Sequence, residues 1–246
     1  MALGASALEN HDRFLNMAFK SFYLAAGIVS TVAIPFYAGA TGAHHLPAGP
    51  CIVAANHSSF LDGPLLALAY AKARLRPLHM IAYDEPFNHW LMGWILRSGG
   101  AIPFKRGNRE SQGRMLKTAS DWLAAGEAVG IFPEGHINQQ PILNRPRSGV
   151  ALLALETGTP IIPAAIIGSS ETLPLGSNRP RALRNIRIRF GPEVPLMHKE
   201  TEYPHLTKPE RRRMANNLGY RIMTAIGLLS GRQTRDEQPD AVRATD

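Results

Sequence analysis

The sequence predicts an α/β domain, a mainly parallel sheet with helices on both faces, preceded by an N-terminal hydrophobic, membrane-associated helix. Three observations carry this expectation. Beyond residue 46, short apolar runs alternate with longer stretches of helical period. Polar clusters directly follow several of the apolar runs, as they do where strands of an open parallel sheet end. From Ser21 to Ala43 no side chain is acidic, lysine or arginine.

That uncharged stretch would reach about 34 Å as a helix, against a bilayer core of roughly 30 Å. Only Phe22 to Ile34 is densely apolar, however, and Pro35, Gly39 and Gly42 break the helical pattern beyond it. An interfacial or re-entrant helix fits this length better than a span. A buried packing helix and a cleaved leader ending at Ala38-Gly39-Ala40 are the other two readings.

The elements of the domain come in a regular order. Pro50 to Ala55 reads as a buried strand, Pro64 to Ala73 as a helix and Leu78 to Tyr83 as a strand. Phe87 to Arg97 reads as a helix with an apolar face, and Ala101 to Phe104 as a short strand. Arg109 to Ala125 places Met115, Leu116, Ala119, Trp122 and Leu123 at helical spacing. Ala128 to Phe132 is an expected strand, and Ser148 to Glu156 a helix stopped by Gly158. Pro160 to Ile167 is an expected strand that Pro163 places near an edge. Ser169 to Pro180 reads as a loop. Arg187 and Arg189 alternate with Ile186, Ile188 and Phe190, a half-buried strand with a cationic outer face. Thr207 and Glu210 form a capping-box pair, with Pro209 in the first turn of a long helix that stops at Gly231. The expected division is a hydrophobic segment at 1–44, one domain at 45–231 and a polar, disordered tail at 232–246.

Composition narrows the function classes. The 246 residues are 45% hydrophobic and 19% charged, enough for a substantial core and too apolar for disorder. A lone Cys51 excludes an internal disulfide framework and a multi-cysteine metal site. The net charge of +8 and pI near 10.0 favour an anionic partner: nucleic acid, anionic lipid or a phosphorylated substrate. Aromatics are only 7% and do not interleave with basic residues as a single-strand platform requires.

Asn56-His57-Ser58-Ser59-Phe60-Leu61-Asp62 follows the first strand of the domain. His57 and Asp62 on one continuous helix would point about 140° apart. They meet only if His57 sits on the loop and Asp62 at the helix start. An aspartate accepting from one imidazole nitrogen fixes the tautomer and leaves the other nitrogen as a base. Equally, Asp62 can serve only as a helix cap, or pair with Ser59 as a capping box, and His57 can be a satisfied core histidine.

Phe132-Pro133-Glu134-Gly135-His136 follows another strand. Glu134 there can meet substrate hydroxyls, and Gly135 allows close backbone approach. Ile102-Pro103-Phe104-Lys105-Arg106 puts two cations at a third strand end, which suits a phosphate. Ordinary turns explain each segment alone, but a parallel sheet would gather all three on one rim.

With these blocks in this order, the chain resembles the glycerolipid acyltransferase family, the lysophospholipid or 1-acylglycerol-3-phosphate acyltransferases. The His-x-x-x-x-Asp block runs from His57 to Asp62, and the second block is Gly100-Ala101-Ile102-Pro103-Phe104-Lys105-Arg106. The third is Phe132-Pro133-Glu134-Gly135, and the fourth is Thr159-Pro160-Ile161-Ile162-Pro163-Ala164-Ala165. The likeness covers roughly residues 45 to 195.

The resemblance implies that His57 is a general base on an acceptor hydroxyl, oriented by Asp62. The alkoxide would attack the thioester of acyl-CoA or acyl carrier protein, a co-substrate, with no cofactor and no metal. Lys105 and Arg106 would hold an acceptor phosphate, and Glu134 and Gly135 would shape the acceptor pocket. The N-terminal helix and basic surface would seat the domain on anionic lipid at the cytoplasmic membrane face. One departure bears on the acceptor. Phosphatidate-forming members usually follow Phe-Pro-Glu-Gly with Thr-Arg, whereas this chain has His136-Ile137. Arg106 and Arg147 would then carry any phosphate. The acceptor stays open between a lysophospholipid, another phosphorylated lipid, and a glycolipid or aminolipid hydroxyl.

Readings from other classes fare less well. A catalytically silent lipid-binding protein would not need His57, Asp62 and Glu134. A serine hydrolase on Ser58 or Ser59 lacks a Gly-x-Ser-x-Gly elbow. Arg211-Arg212-Arg213 would suit nucleic acid but opens a helix beyond the matched blocks, and no His-Glu-x-x-His is present for zinc.

Overall fold

The computed structural model describes residues 34–177, 179–181, 185–197 and 203–235. Strands are β1 (Tyr37–Thr41), β2 (Ile52–Ala55), β3 (Leu78–Tyr83), β4 (Ile102–Phe104), β5 (Ala128–Ile131), β6 (Ile142–Leu143), β7 (Ile161–Ile167), β8 (Ile186–Phe190) and β9 (Gln233–Thr234). Helices are α1 (Asp62–Arg74), α2 (Trp90–Ser98), α3 (Arg109–Ala124), α4 (Gly149–Thr157), α5 (Ser169–Thr172) and α6 (Lys208–Ser230).

Seven strands form one sheet in the order β1-β8-β7-β2-β5-β3-β4. The block β7, β2, β5, β3 and β4 is parallel throughout. β8 runs antiparallel to β7 and carries β1 parallel to itself at the edge. β2 lies centrally, and its alternate residues feed two cores. Ile52 and Ala54 join Met115, Leu123, Leu153 and Ile222 on the α3, α4 and α6 face. Val53 and Ala55 join Leu65, Leu66 and Ala69 of α1 on the other. Helices thus cover both faces, as parallel sheets require.

Several boundaries depart from the sequence expectation. The expected helix from Phe22 to Ile34 lies outside the described residues, apart from Ile34. The segment 1–44 is not hydrophobic anchor to its end, because Tyr37–Thr41 is edge strand β1. Gly39, at φ 138, bears the irregularity in its pairing with β8. The tail boundary at 231 also moves. Gln233–Thr234 pairs with Ile142–Leu143, and Arg232 finds protein acceptors, so the fold continues to residue 235.

Pro163 does not mark an edge, since β7 has β2 on one side and β8 on the other. Its carbonyl accepts the Gly191 N–H just past the end of β8. Pro163 offers no N–H in return, so this position keeps a one-way hydrogen bond, and pairing resumes at Ile161 and Val194. The expected helix from Phe87 splits instead into a 3₁₀ turn at Glu85–Asn88 and α2, because His89 caps the new helix by accepting the Met92 N–H. The loop expected from Ser169 opens with the short α5. At α6, the Thr207 N–H donates to Glu210 Oε2 at 2.8 Å, as the capping pair requires.

Candidate active site

The parallel block turns the C-terminal ends of β2, β3, β4 and β5 to one rim, so the polar clusters after them converge. Asn56 closes the end of β2. Its Oδ1 accepts the Ile166 N–H at 2.8 Å and its Nδ2 donates to the Ile166 carbonyl at 2.9 Å. The chain then leaves the sheet, with His57 in the loop and Asp62 as the first residue of α1.

His57 Nδ1 lies 3.0 Å from Asp62 Oδ2. The same oxygen accepts the backbone N–H groups of Ser58 at 2.5 Å and Ser59 at 2.8 Å. Asp62 is 0% exposed. A carboxylate can only accept hydrogen bonds. Nδ1 is therefore the donor in this pair, the tautomer in which a neutral ring has its lone pair on Nε2. The imidazole stacks on Phe132, with centroids 4.0 Å apart and planes within 7°. Its side chain keeps 18% exposure, so the ring is held yet open. Asp62 is the first residue of α1 behind the N-cap Leu61, which has no side-chain cap, so its bond to the Ser59 N–H belongs to the loop before the helix and the expected Ser59–Asp62 capping box does not form.

Glu134 differs from its sequence expectation. It is 0% exposed, and both oxygens are taken by protein donors instead of facing a substrate hydroxyl. Oε1 accepts the His57 backbone N–H at 3.3 Å. Oε2 accepts from Asn138 Nδ2 at 2.6 Å and the Asn144 N–H at 2.9 Å. Asn138 returns its own N–H to the His57 carbonyl at 2.7 Å.

Gly135 turns the chain at φ +69, and a Cβ there would stand 3.0 Å from Arg147 Cγ. Its carbonyl accepts from Arg106 Nη2 at 2.6 Å and from the Tyr83 hydroxyl. Arg106 Nε donates to the Tyr83 hydroxyl at 3.1 Å, and its guanidinium lies 5.0 Å from the centre of that ring. Arg106, Gly135 and Arg147 thus cluster, and the Glu134-Gly135 peptide joins this cluster to His57. Lys105 does not share it. It borders a cleft of about 300 Å³ beside α3, with Asp84, Asn108, Ser111 and Arg114. His136 Nε2 accepts from Asn144 Nδ2 at 3.1 Å, so it supports the same loop.

Sequence reasoning missed Tyr83, Asn138, Asn144 and Arg232. Tyr83 closes an expected strand, but only the pairing of β3 with β4 sets it opposite Phe104 and beside the basic block, so no local signal marked it. Among the described residues no group of three or more His, Cys, Asp or Glu side chains is arranged to hold a metal.

A half-buried, carboxylate-fixed histidine at the strand-end rim of an open α/β sheet is the arrangement of an acid–base site. The Acyltransferase family model matches residues 39–167, and the chain belongs to that family. It is 30% identical over 163 residues to a chloroplastic 1-acyl-sn-glycerol-3-phosphate acyltransferase of Brassica napus, covering 64% of this chain and 46% of that protein. A second chloroplastic enzyme of that name, from Arabidopsis thaliana, is 29% identical over 174 residues, covering 69% and 47%. A lyso-ornithine lipid O-acyltransferase of Pseudomonas aeruginosa is 29% identical over 142 residues, covering 58% and 52%. The chain thus spans about half the length of these relatives. The solved 1-acyl-sn-glycerophosphate acyltransferase of Thermotoga maritima shares the fold, with TM-score 0.61 at 19% identity, over 85% of this chain and 78% of that one.

Proposed function

We propose that this protein transfers a fatty acyl group from acyl-CoA or acyl carrier protein to a hydroxyl of a lysophospholipid such as 1-acylglycerol-3-phosphate. The observation that carries the reading is the His57–Asp62 pair at 3.0 Å, with Nδ1 turned to the carboxylate. Nε2 takes the proton of the acceptor hydroxyl as its oxygen attacks the thioester carbonyl. The C–O bond forms, the C–S bond breaks, and the proton passes from Nε2 to the departing thiolate. Asp62 stabilises the imidazolium between those steps. General-base assistance of this kind contributes about 10²–10⁴ in rate.

Arg106 is the residue proposed to hold the acceptor head group, with Arg147 beside it across Gly135. Its Nη1 makes none of the contacts to Tyr83 and Gly135, which use Nε and Nη2. Glu134 acts as a brace on His57, and Lys105 acts outside the pocket. His136-Ile137 in place of Thr-Arg favours a second reading, the same chemistry on an aminolipid or glycolipid hydroxyl. The likeness to the lyso-ornithine lipid enzyme supports it.

The reaction is proposed to run at the cytoplasmic face of a membrane. Exposed apolar side chains flank the rim that carries His57: Phe60 at 71% and Trp90 at 77%, with Met92 and Leu175. The net charge of +8 complements anionic lipid. Among the described residues no helix is long and apolar enough to cross a membrane.

The test is thiol release from acyl-CoA with lysophosphatidate, a lysophospholipid, a glycolipid and an aminolipid in turn, with acyl carrier protein as the second donor. Release that requires lysophosphatidate and His57 supports the proposal. Release with only the aminolipid or glycolipid moves the acceptor. No acceptor-dependent release with either donor overturns acyl transfer.

A further inference from the structure

Arg232 lies outside every motif and outside the matched family region. Past Gly231, left-handed at φ 70, the chain reverses at the end of α6. The Arg232 N–H caps that end on the Gly227 carbonyl at 3.1 Å. Its side chain then crosses to the rim. Nη1 donates to Ser58 Oγ at 3.1 Å, and Nη2 donates to the Asn138 carbonyl at 3.2 Å and to the Gln140 carbonyl.

These acceptors sit on the two loops that hold His57. Ser58 follows the histidine and gives its N–H to Asp62. Asn138 donates to the His57 carbonyl and to Glu134. Gln139 Nε2 adds a direct tie to the Ser58 carbonyl at 2.8 Å. One planar guanidinium thus spans three acceptors that a lysine ammonium, a compact charge on a flexible stem, cannot hold together.

We propose that Arg232 is a positioning residue for the His57–Asp62 pair, acting through Ser58 and Asn138 as a latch from the C-terminal end of the fold. The proposal rests on the reading of His57 as the base. Electrostatics agree with the geometry. Burial pulls the guanidinium pKa down, while the negative charges of Glu134, Asp62 and Glu171 oppose that pull. A misplacement of about 1 Å at a reacting pair can cost on the order of 10²-fold in rate, which sets the expected scale.

The experiment compares the full chain with Arg232→Ala and Arg232→Lys by steady-state kinetics, thermal unfolding and amide hydrogen exchange. Arg232→Ala is expected to lower kcat about 10–100-fold, with the KM of donor and acceptor each within about threefold. Exchange should rise at 57–59 and 138–140 and stay unchanged in β4 and α3. Arg232→Lys should recover little, and added guanidinium ion should restore part of the Arg232→Ala rate.

Unchanged kcat overturns the latch. A raised acceptor KM with unchanged kcat and exchange makes Arg232 a substrate ligand and also overturns it. Exchange that rises everywhere together with a collapsed Tm reduces Arg232 to general stability and does the same. The exchange readout needs no acyl transfer. Should His57→Ala keep full activity, the base reading fails alone, and exchange at the two loops still decides whether Arg232 positions them.

Discussion

Glu134 meets His57 at the backbone and not at the ring: Oε1 lies 3.3 Å from the His57 nitrogen. A buried carboxylate with both oxygens on protein donors is a brace. Glu134→Ala should leave three N–H donors unpaired and cost about 1–3 kcal/mol or more of stability. It should lower kcat with little change in acceptor KM. Calorimetry and steady-state kinetics check this. A raised acceptor KM at unaltered Tm would instead make Glu134 a hydroxyl ligand.

His57→Ala should reduce turnover about 10²–10⁴-fold and leave Tm nearly unchanged, since the ring is partly open. Asp62→Ala should lose comparable turnover and also about 3 kcal/mol of stability, because three donors converge on its Oδ2. Denaturant unfolding beside thiol release separates the two. Equal stability loss in both variants would return His57 to a core role.

Arg106→Ala should raise the KM of a phosphorylated acceptor at least tenfold, as loss of a charge-assisted hydrogen bond worth about 1.5–3 kcal/mol requires. A neutral acceptor should change little. Tyr83→Phe, which removes the hydroxyl that receives Arg106, should show a weaker form of the same selectivity. The same KM change for both acceptors would sink Arg106 as the head-group ligand.

Replacing Trp90 and Met92 together by glutamate should weaken binding to phosphatidylglycerol vesicles by tenfold or more. Two apolar anchors are lost and two negative charges are placed against an anionic surface. Turnover of a short-chain, water-soluble acceptor should be retained. Vesicle sedimentation that is indifferent to the change would remove α2 from the membrane-facing surface.

His79 supplies a pH dependence. It is buried, its ring stacks on Trp122 at 3.8 Å, and Nδ1 donates to the Gly100 carbonyl at 3.2 Å. Burial lowers its pKa below the ordinary 6.5. The unfolded chain therefore binds the proton first, so this contribution is fully present above about pH 6.5 and declines as pH falls toward the folded value. Tm should drop between pH 7 and pH 5.5, and His79→Asn should flatten that slope. A slope that persists unchanged in His79→Asn assigns it to other groups.

The elements legible in the sequence are those whose signals are local. The strand Leu78–Tyr83 and the start of α3 at Arg109 fall where hydrophobic period placed them. The ends of α6 fall where Thr207 and Gly231 placed them. The His57–Asp62 meeting was readable too, because a loop-to-helix turn fixes two residues within one short segment. Pro163 misled, since a proline signals an edge by its lost donor, and only the neighbouring strand shows whether that donor had a partner.

What the sequence by itself determined is therefore the alternation of strands and helices, the rim that collects polar blocks, and the candidate base with its aspartate. Tertiary structure decided the rest. It turned Glu134 inward to the His57 backbone, and it separated Arg106 from Lys105. It also brought Arg232 to Ser58 across 174 positions. The reason is physical: periodicity, caps and short turns act within a few residues. Hydrogen bonds to a distant carbonyl or hydroxyl depend on where packing places two elements, and no single segment carries that distance.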